Sequence, residues 1–119
     1  MNDRLIRKAR PAGLAAVLIA PLLAFSLMGC APQGEEHVVT IDGLKYSPAE
    51  LEIHPGDKVV WNMTSTGMAH DVVSNDGLFQ SELLNEGEFS HTFTKEGEYG
   101  YHCTPHPTMT GMITVVAPE

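Results

Sequence analysis

A chain of 119 residues with a formal net charge of −8 has room for one modest domain, and its acidity excludes nucleic acid and electrostatic attachment to anionic lipid. Its two cysteines, Cys30 and Cys103, exclude a disulfide-stapled scaffold, which needs several bridges. The same acidity suits either partners with a cationic surface or the solvated exterior of a salt-adapted organism's protein.

The chain opens on Arg4, Arg7, Lys8 and Arg10, followed by an apolar run from Ala12 to Met28 that only Gly13, Pro21 and Ser26 interrupt. That is the layout of a secretory signal; the run is short for a spanning helix and carries a proline near its middle. Leu27-Met28-Gly29-Cys30 looks like a bacterial lipobox, which implies cleavage before Cys30 and lipid on that cysteine. Two acyl chains suffice for stable anchoring where one is marginal. The expected organisation is therefore a lipoprotein signal over 1–29, a flexible tether over 30–36 with lipidated Cys30, and a domain over 37–119. The expected location is outside the cell membrane, lipid-anchored and facing a periplasm or the exterior. With Cys30 lipidated, Cys103 has no disulfide partner in an oxidising compartment. Beyond the signal the basic residues are Lys45, Lys58 and Lys95 against fourteen carboxylates, a balance of −11.

The tether, rich in Pro32, Gly34, Glu35 and Glu36, gives way at His37 to short β-type segments. They are His37–Ile41, Leu51–His54, Lys58–Met63, Asp71–Ser74, Glu88–Thr94, Glu98–Cys103 and Gly111–Val116. Between them lie turn signals such as Asp42-Gly43, His54-Pro55-Gly56-Asp57, Asn75-Asp76-Gly77, Asn85-Glu86-Gly87 and Lys95-Glu96-Gly97. Regular spacing of this kind predicts an all-β sandwich. Period two places Phe89, His91 and Phe93 on one face, and Tyr99, Tyr101 and Cys103 on another, aiming the Cys103 thiol inward. Trp61 is expected to fill the core. Leu78–Asn85 breaks the alternation and is expected to form a helical turn.

Cys103, His106 and Met109 follow one another at intervals of three in Tyr101-His102-Cys103-Thr104-Pro105-His106-Pro107-Thr108-Met109. A thiolate, an imidazole and a weak thioether suit a copper ion that cycles between Cu(I) and Cu(II), and one more histidine completes the set. His70, where a polar loop meets an apolar run, is the candidate. Structural zinc sites use Cys and His without Met, so Met109 speaks against zinc. Pro105 and Pro107 fix φ on either side of His106 and stiffen the loop.

This constellation resembles the blue-copper proteins, or cupredoxins, and the short Cys-x-x-His-x-x-Met loop resembles their amicyanin branch. Gly56-Asp57-Lys58-Val59-Val60-Trp61-Asn62 and Gly97-Glu98-Tyr99-Gly100-Tyr101 match strands that flank the ligands in that family, and the likeness runs from about Val38 to Val116. The resemblance implies a Greek-key β-sandwich and one copper held by His70, Cys103, His106 and the axial Met109. It also implies a contact between the two ligand loops through Asp71 and Thr104; Asp71 stands where the family usually has asparagine, and its side chain can accept a hydrogen bond from the Thr104 hydroxyl but not donate one.

The function expected on these grounds is a membrane-tethered, non-enzymatic carrier of single electrons between redox proteins. A copper-delivery lipoprotein is the alternative, against which the proline-stiffened loop speaks. A small copper enzyme subunit would need further histidines, and His37, His54 and His91 are scattered along the chain.

Overall fold

The computed structural model describes residues 34–64 and 67–119; the expected signal, Cys30 and most of the tether lie outside the described residues. Eight strands run in chain order: β1 Glu36–Asp42, β2 Lys45–Ser47, β3 Glu50–Ile53, β4 Lys58–Met63, β5 Val73–Ser74, β6 Gly87–Thr92, β7 Gly97–His102 and β8 Thr110–Val115. They form two four-stranded sheets, β2-β1-β4-β6 and β3-β8-β7-β5. The β1–β4 and β3–β8 pairs are parallel and the rest antiparallel. The expected all-β sandwich is what the chain forms, and among the described residues no helix is long and apolar enough to cross a membrane.

Alternation builds the core. Val39 and Ile41 of β1 are fully buried while Val38, one residue out of phase with them, is 52 % exposed, and Val59, Trp61 and Met63 of β4 join Ile53, Tyr101, Ile113 and Val115 of the other sheet in one cluster. Trp61 is its centre, with Tyr101 at 5.3 Å, Phe79 at 5.5 Å and Phe89 at 5.7 Å between ring centroids. Phe89, His91 and Phe93 share the inward face as expected, His91 lying 4.9 Å from the Phe79 ring.

Two segments differ from expectation. Residues 78–84 make no helical turn. They are strapped alongside the chain from His70 to Ser74 by paired backbone bonds between His70 and Leu84, by Ser81 N–H to the Val72 carbonyl, and by Ser74 N–H to the Phe79 carbonyl, each 2.9 Å. Leu84 therefore packs on the core, while Leu78 and Leu83 point to solvent. The second difference is β2, which pairs with β1 across a two-residue turn at Gly43-Leu44, with Gly43 at the positive φ of 60° that such turns require.

The pole where β1 begins is held by Asp57, only 4 % exposed. Its carboxylate accepts the Glu35 N–H at 2.8 Å, the His54 N–H at 3.0 Å and the His37 Nε2–H at 2.9 Å. Burial pushes this carboxyl up, but the backbone N–H groups of His54 and Glu35 and the His37 ring outweigh it, and the net shift is below the ordinary 3.8. A carboxyl with a depressed folded value contributes stability that is present above its unfolded value and lost as pH falls through the folded one. Asp57→Ala should therefore cost about 2–3 kcal/mol at neutral pH, the scale of losing charge-assisted bonds, and the gap to the wild type should be smaller at an acid pH below the folded-state value than at neutral pH. Urea unfolding followed by Trp61 fluorescence at the two pH values checks this.

Candidate metal centre

The two ligand loops sit at the pole opposite Asp57. Glu36 pairs with Lys58 at one end of the β1–β4 ladder, and Ile41 with Met63 at the other; beyond Met63 the chain crosses to His70. His70 is fully buried, locked by its two backbone bonds to Leu84. Cys103 follows β7 directly and, by the inward phase of Tyr99 and Tyr101, is fully buried too.

The loop after Cys103 closes on itself. Met109 N–H donates to the His106 carbonyl at 2.9 Å and Cys103 N–H to the Met109 carbonyl at 3.2 Å, which returns Met109, 2 % exposed, beside the cysteine. Within this closure His106 is half-buried and Pro105 and Pro107 are exposed.

The four expected residues thus arrive from two loops at one end of the sandwich. Cys103 Sγ lies 3.8 Å from His70 Nδ1 and 3.7 Å from His106 Nδ1, and the donor atoms of all three residues lie within 4.8 Å of one another. Such separations are those of a sulfur and nitrogens sharing one first-row metal ion at roughly 2.0–2.3 Å. A thiolate, two imidazoles and a buried methionine beside them form a donor set that fits copper. Among the described residues no other cluster of His, Cys, Asp and Glu has this arrangement.

The electrostatics suit ligation. Burial, then the neighbouring His106, push the His70 imidazole below its ordinary value against an opposing pull from Asp71, favouring the neutral form in which histidine ligates metals. Burial pushes the Cys103 thiol up, opposed by the backbone N–H groups of Asp71 and His106 and reinforced by the Asp71 charge. A metal must therefore displace a proton from this sulfur as it binds.

Asp71 and Thr104 meet, but through different atoms from those expected. Asp71 Oδ1 accepts the backbone N–H of Thr104 at 2.6 Å while Thr104 itself is exposed. Tyr46, on the strand that the sequence reading passed over, is also part of the site's support. It is 3 % exposed, donates its hydroxyl to the Asp71 carbonyl at 2.7 Å, and stands edge-on to Tyr101 with centroids 4.7 Å apart. The signal for it was Asp42-Gly43 followed by the alternating Lys45-Tyr46-Ser47, a hairpin pattern.

Residues 34–116 match the family described as copper binding proteins, plastocyanin/azurin family. No curated protein is significantly similar to the chain. Among solved structures, amicyanin from Paracoccus versutus (Thiobacillus versutus) is 33 % identical, with 68 % of this chain and 81 % of that one covered at a TM-score of 0.62. An oxidised methionine-to-leucine mutant of amicyanin is 35 % identical over 67 % of this chain and 81 % of that one, at 0.61. The Cu(I) form of a methionine-to-alanine mutant of amicyanin is 35 % identical over 70 % and 83 %, at 0.62. The match of fold, of most of the described sequence and of a donor set suited to copper leads to one conclusion: the chain belongs to the plastocyanin/azurin family of copper-binding proteins.

Proposed function

We propose that the chain is a membrane-tethered carrier of single electrons, with one copper held by His70, Cys103, His106 and Met109. The observation that carries this reading is the meeting of three donor atoms within 4.8 Å, from loops fixed by backbone bonds. As a member of its family the protein is a carrier and not an enzyme. Copper, when bound there, supplies a one-electron couple between Cu(I) and Cu(II).

The residues of the chain supply everything else. His70 is buried and clamped, Cys103 and Met109 are tied together through the backbone, and Asp71 joins the residues that follow His70 and Cys103. Pro105 and Pro107 restrict φ around His106. Little of this frame can move when the charge of the site changes, so little reorganisation opposes electron transfer. His106 alone of the three reaches the surface, and the rim expected around it is Pro105, Pro107, Ala69 and Met68, the last 37 % exposed.

That apolar rim is the proposed contact for a redox partner, and the surplus of carboxylates elsewhere favours a partner with a basic surface. Apolar contact with a charged periphery suits brief encounters in which charge sets the on-rate. Ala69→Glu should slow transfer to the partner roughly tenfold, equivalent to about 1.4 kcal/mol, with the visible spectrum unchanged. Stopped-flow kinetics with the oxidised and reduced partner decide this; an unchanged rate places the contact elsewhere.

The tether rests on Leu27-Met28-Gly29-Cys30, and it agrees with the fold. Glu36, where the tether joins β1, lies at the opposite end of the β1–β4 ladder from the route to His70, so an anchored domain turns its metal end away from the membrane. The expected result for Cys30→Ser is protein released from the membrane fraction or left unprocessed, and without incorporated fatty-acid label. Wild-type protein that takes up no label returns the N-terminus to an ordinary signal or an uncleaved segment.

A further inference from the structure

Asp71 places a carboxylate in the wall of the metal site, although the hydrogen bond that it makes does not require a charge. The residue is 5 % exposed, and Oδ1 accepts the Thr104 N–H at 2.6 Å. An amide oxygen would accept the same bond. What the carboxylate adds is a negative charge beside the sulfur. The thiol registers it: after burial, the Asp71 charge is among the influences that push Cys103 up. Neither ion pair among the described residues, His37–Asp57 or Lys58–Glu36, involves Asp71.

A copper site carries one more positive charge when oxidised than when reduced. A fixed anion nearby therefore stabilises the oxidised form more, and the effect is strong where water is excluded. The carboxylate cannot swing away to weaken this, because its bond to Thr104 and the Tyr46 hydroxyl on its own carbonyl, at 2.7 Å, hold it in place.

We propose that the Asp71 carboxylate lowers the reduction potential of the bound copper, so that Asp71 is a positioning and tuning residue of this carrier as well as a tie between its ligand loops. The inference rests on the copper ligation proposed above. Asp71 neither binds the metal nor carries the electron; it sets how readily the electron is accepted from a reduced partner.

The test is spectroelectrochemistry of the full-length, copper-loaded protein and its Asp71→Asn variant. Asparagine keeps an acceptor for the Thr104 N–H and removes the charge. The variant should keep the visible band, and at a fixed solution potential its ratio of reduced to oxidised copper should rise at least about tenfold, which is 59 mV for a one-electron couple. The shift should persist in about 1 M salt, where exposed charges are screened within roughly 3 Å. Glu86→Gln, which removes an exposed carboxylate, should change the ratio less than about twofold by the same reasoning. Asp71→Ser, neutral and smaller, is measured in parallel and should shift the ratio in the same direction. A retained band with an unchanged or lowered potential overturns the proposal. So does loss of copper from both Asp71 variants, which would make the residue structural only. A wild-type protein that binds copper without any visible band would instead sink the proposed ligation, a result distinct from either.

Discussion

Cys103→Ser should leave the protein folded and colourless. The intense visible absorption expected of the wild type arises from charge transfer between a thiolate and Cu(II), and a serine oxygen at the same place is a harder, weaker donor that stays protonated at neutral pH. Cys103 is fully buried beside His70 and His106, so no other side chain can replace it. Loss of partners that merely support a ligand costs roughly 10–100-fold in metal affinity; loss of the thiolate should exceed about hundredfold on that scale. Because serine matches cysteine closely in size, the circular dichroism and thermal transition of the metal-free protein should change little. A variant that remains blue would remove Cys103 from the site.

The largest effect on stability is expected at a residue with no side chain. Gly111 lies directly across the β7–β8 ladder from Tyr101, and the Tyr101 ring covers it so closely that a Cβ there would collide with the ring carbons and hydroxyl. The ring has nowhere to go. Tyr101 is fully buried, held edge-on by Trp61 on one side and by Tyr46 on another. Forcing extra atoms into such a core costs about 1–3 kcal/mol and occasionally more, and with the aromatic cluster immobile Gly111→Val should reach about 3 kcal/mol or above. For a domain of this size that lowers the melting temperature by roughly 10–20 °C. Thermal unfolding of Gly111→Ala in the wild type and in a Tyr101→Leu background gives the diagnostic comparison. The penalty should shrink markedly once the ring is gone, because two groups competing for one space are not additive. An equal penalty in both backgrounds would mean the ring is not the obstacle.

The metal centre was largely legible in the sequence because its chemistry is local. Cys103, His106 and Met109 sit in one short loop whose residue types already suggest copper, and the strand before it declares its inward face through Tyr99 and Tyr101. His70 required one long-range guess, made possible by the change from polar loop to apolar run. Period two placed Phe89, His91 and Phe93 on one face and Tyr99, Tyr101 and Cys103 on another, and Trp61 was expected in the core.

What escaped the reading depends on partners distant in the chain. Residues 78–84 lack alternation because their Leu84 and Phe79 face the core from an irregular strap, whose backbone bonds go to His70–Ser74 rather than to a neighbouring turn. Tyr46 sits on a strand only three residues long, so one alternation after Asp42-Gly43 was all the sequence offered for it. Its role becomes visible only when Asp71 and Tyr101 are brought beside it. Asp71 was identified as the link between the loops, but its partner proved to be a backbone N–H, which no side-chain pattern announces. The parallel pairing of β1 with β4 likewise depends on Asp57 gathering Glu35, His37 and His54 at one pole.

The central claim is that one copper at this site passes one electron. A metal count and a coulometric titration on a single preparation of copper-loaded protein, followed in the visible region, test it together. The account predicts one copper per chain and a band that bleaches fully on uptake of one electron per copper and returns on reoxidation. A protein that binds copper without that band, or needs two tightly bound ions per chain to show it, would contradict the account.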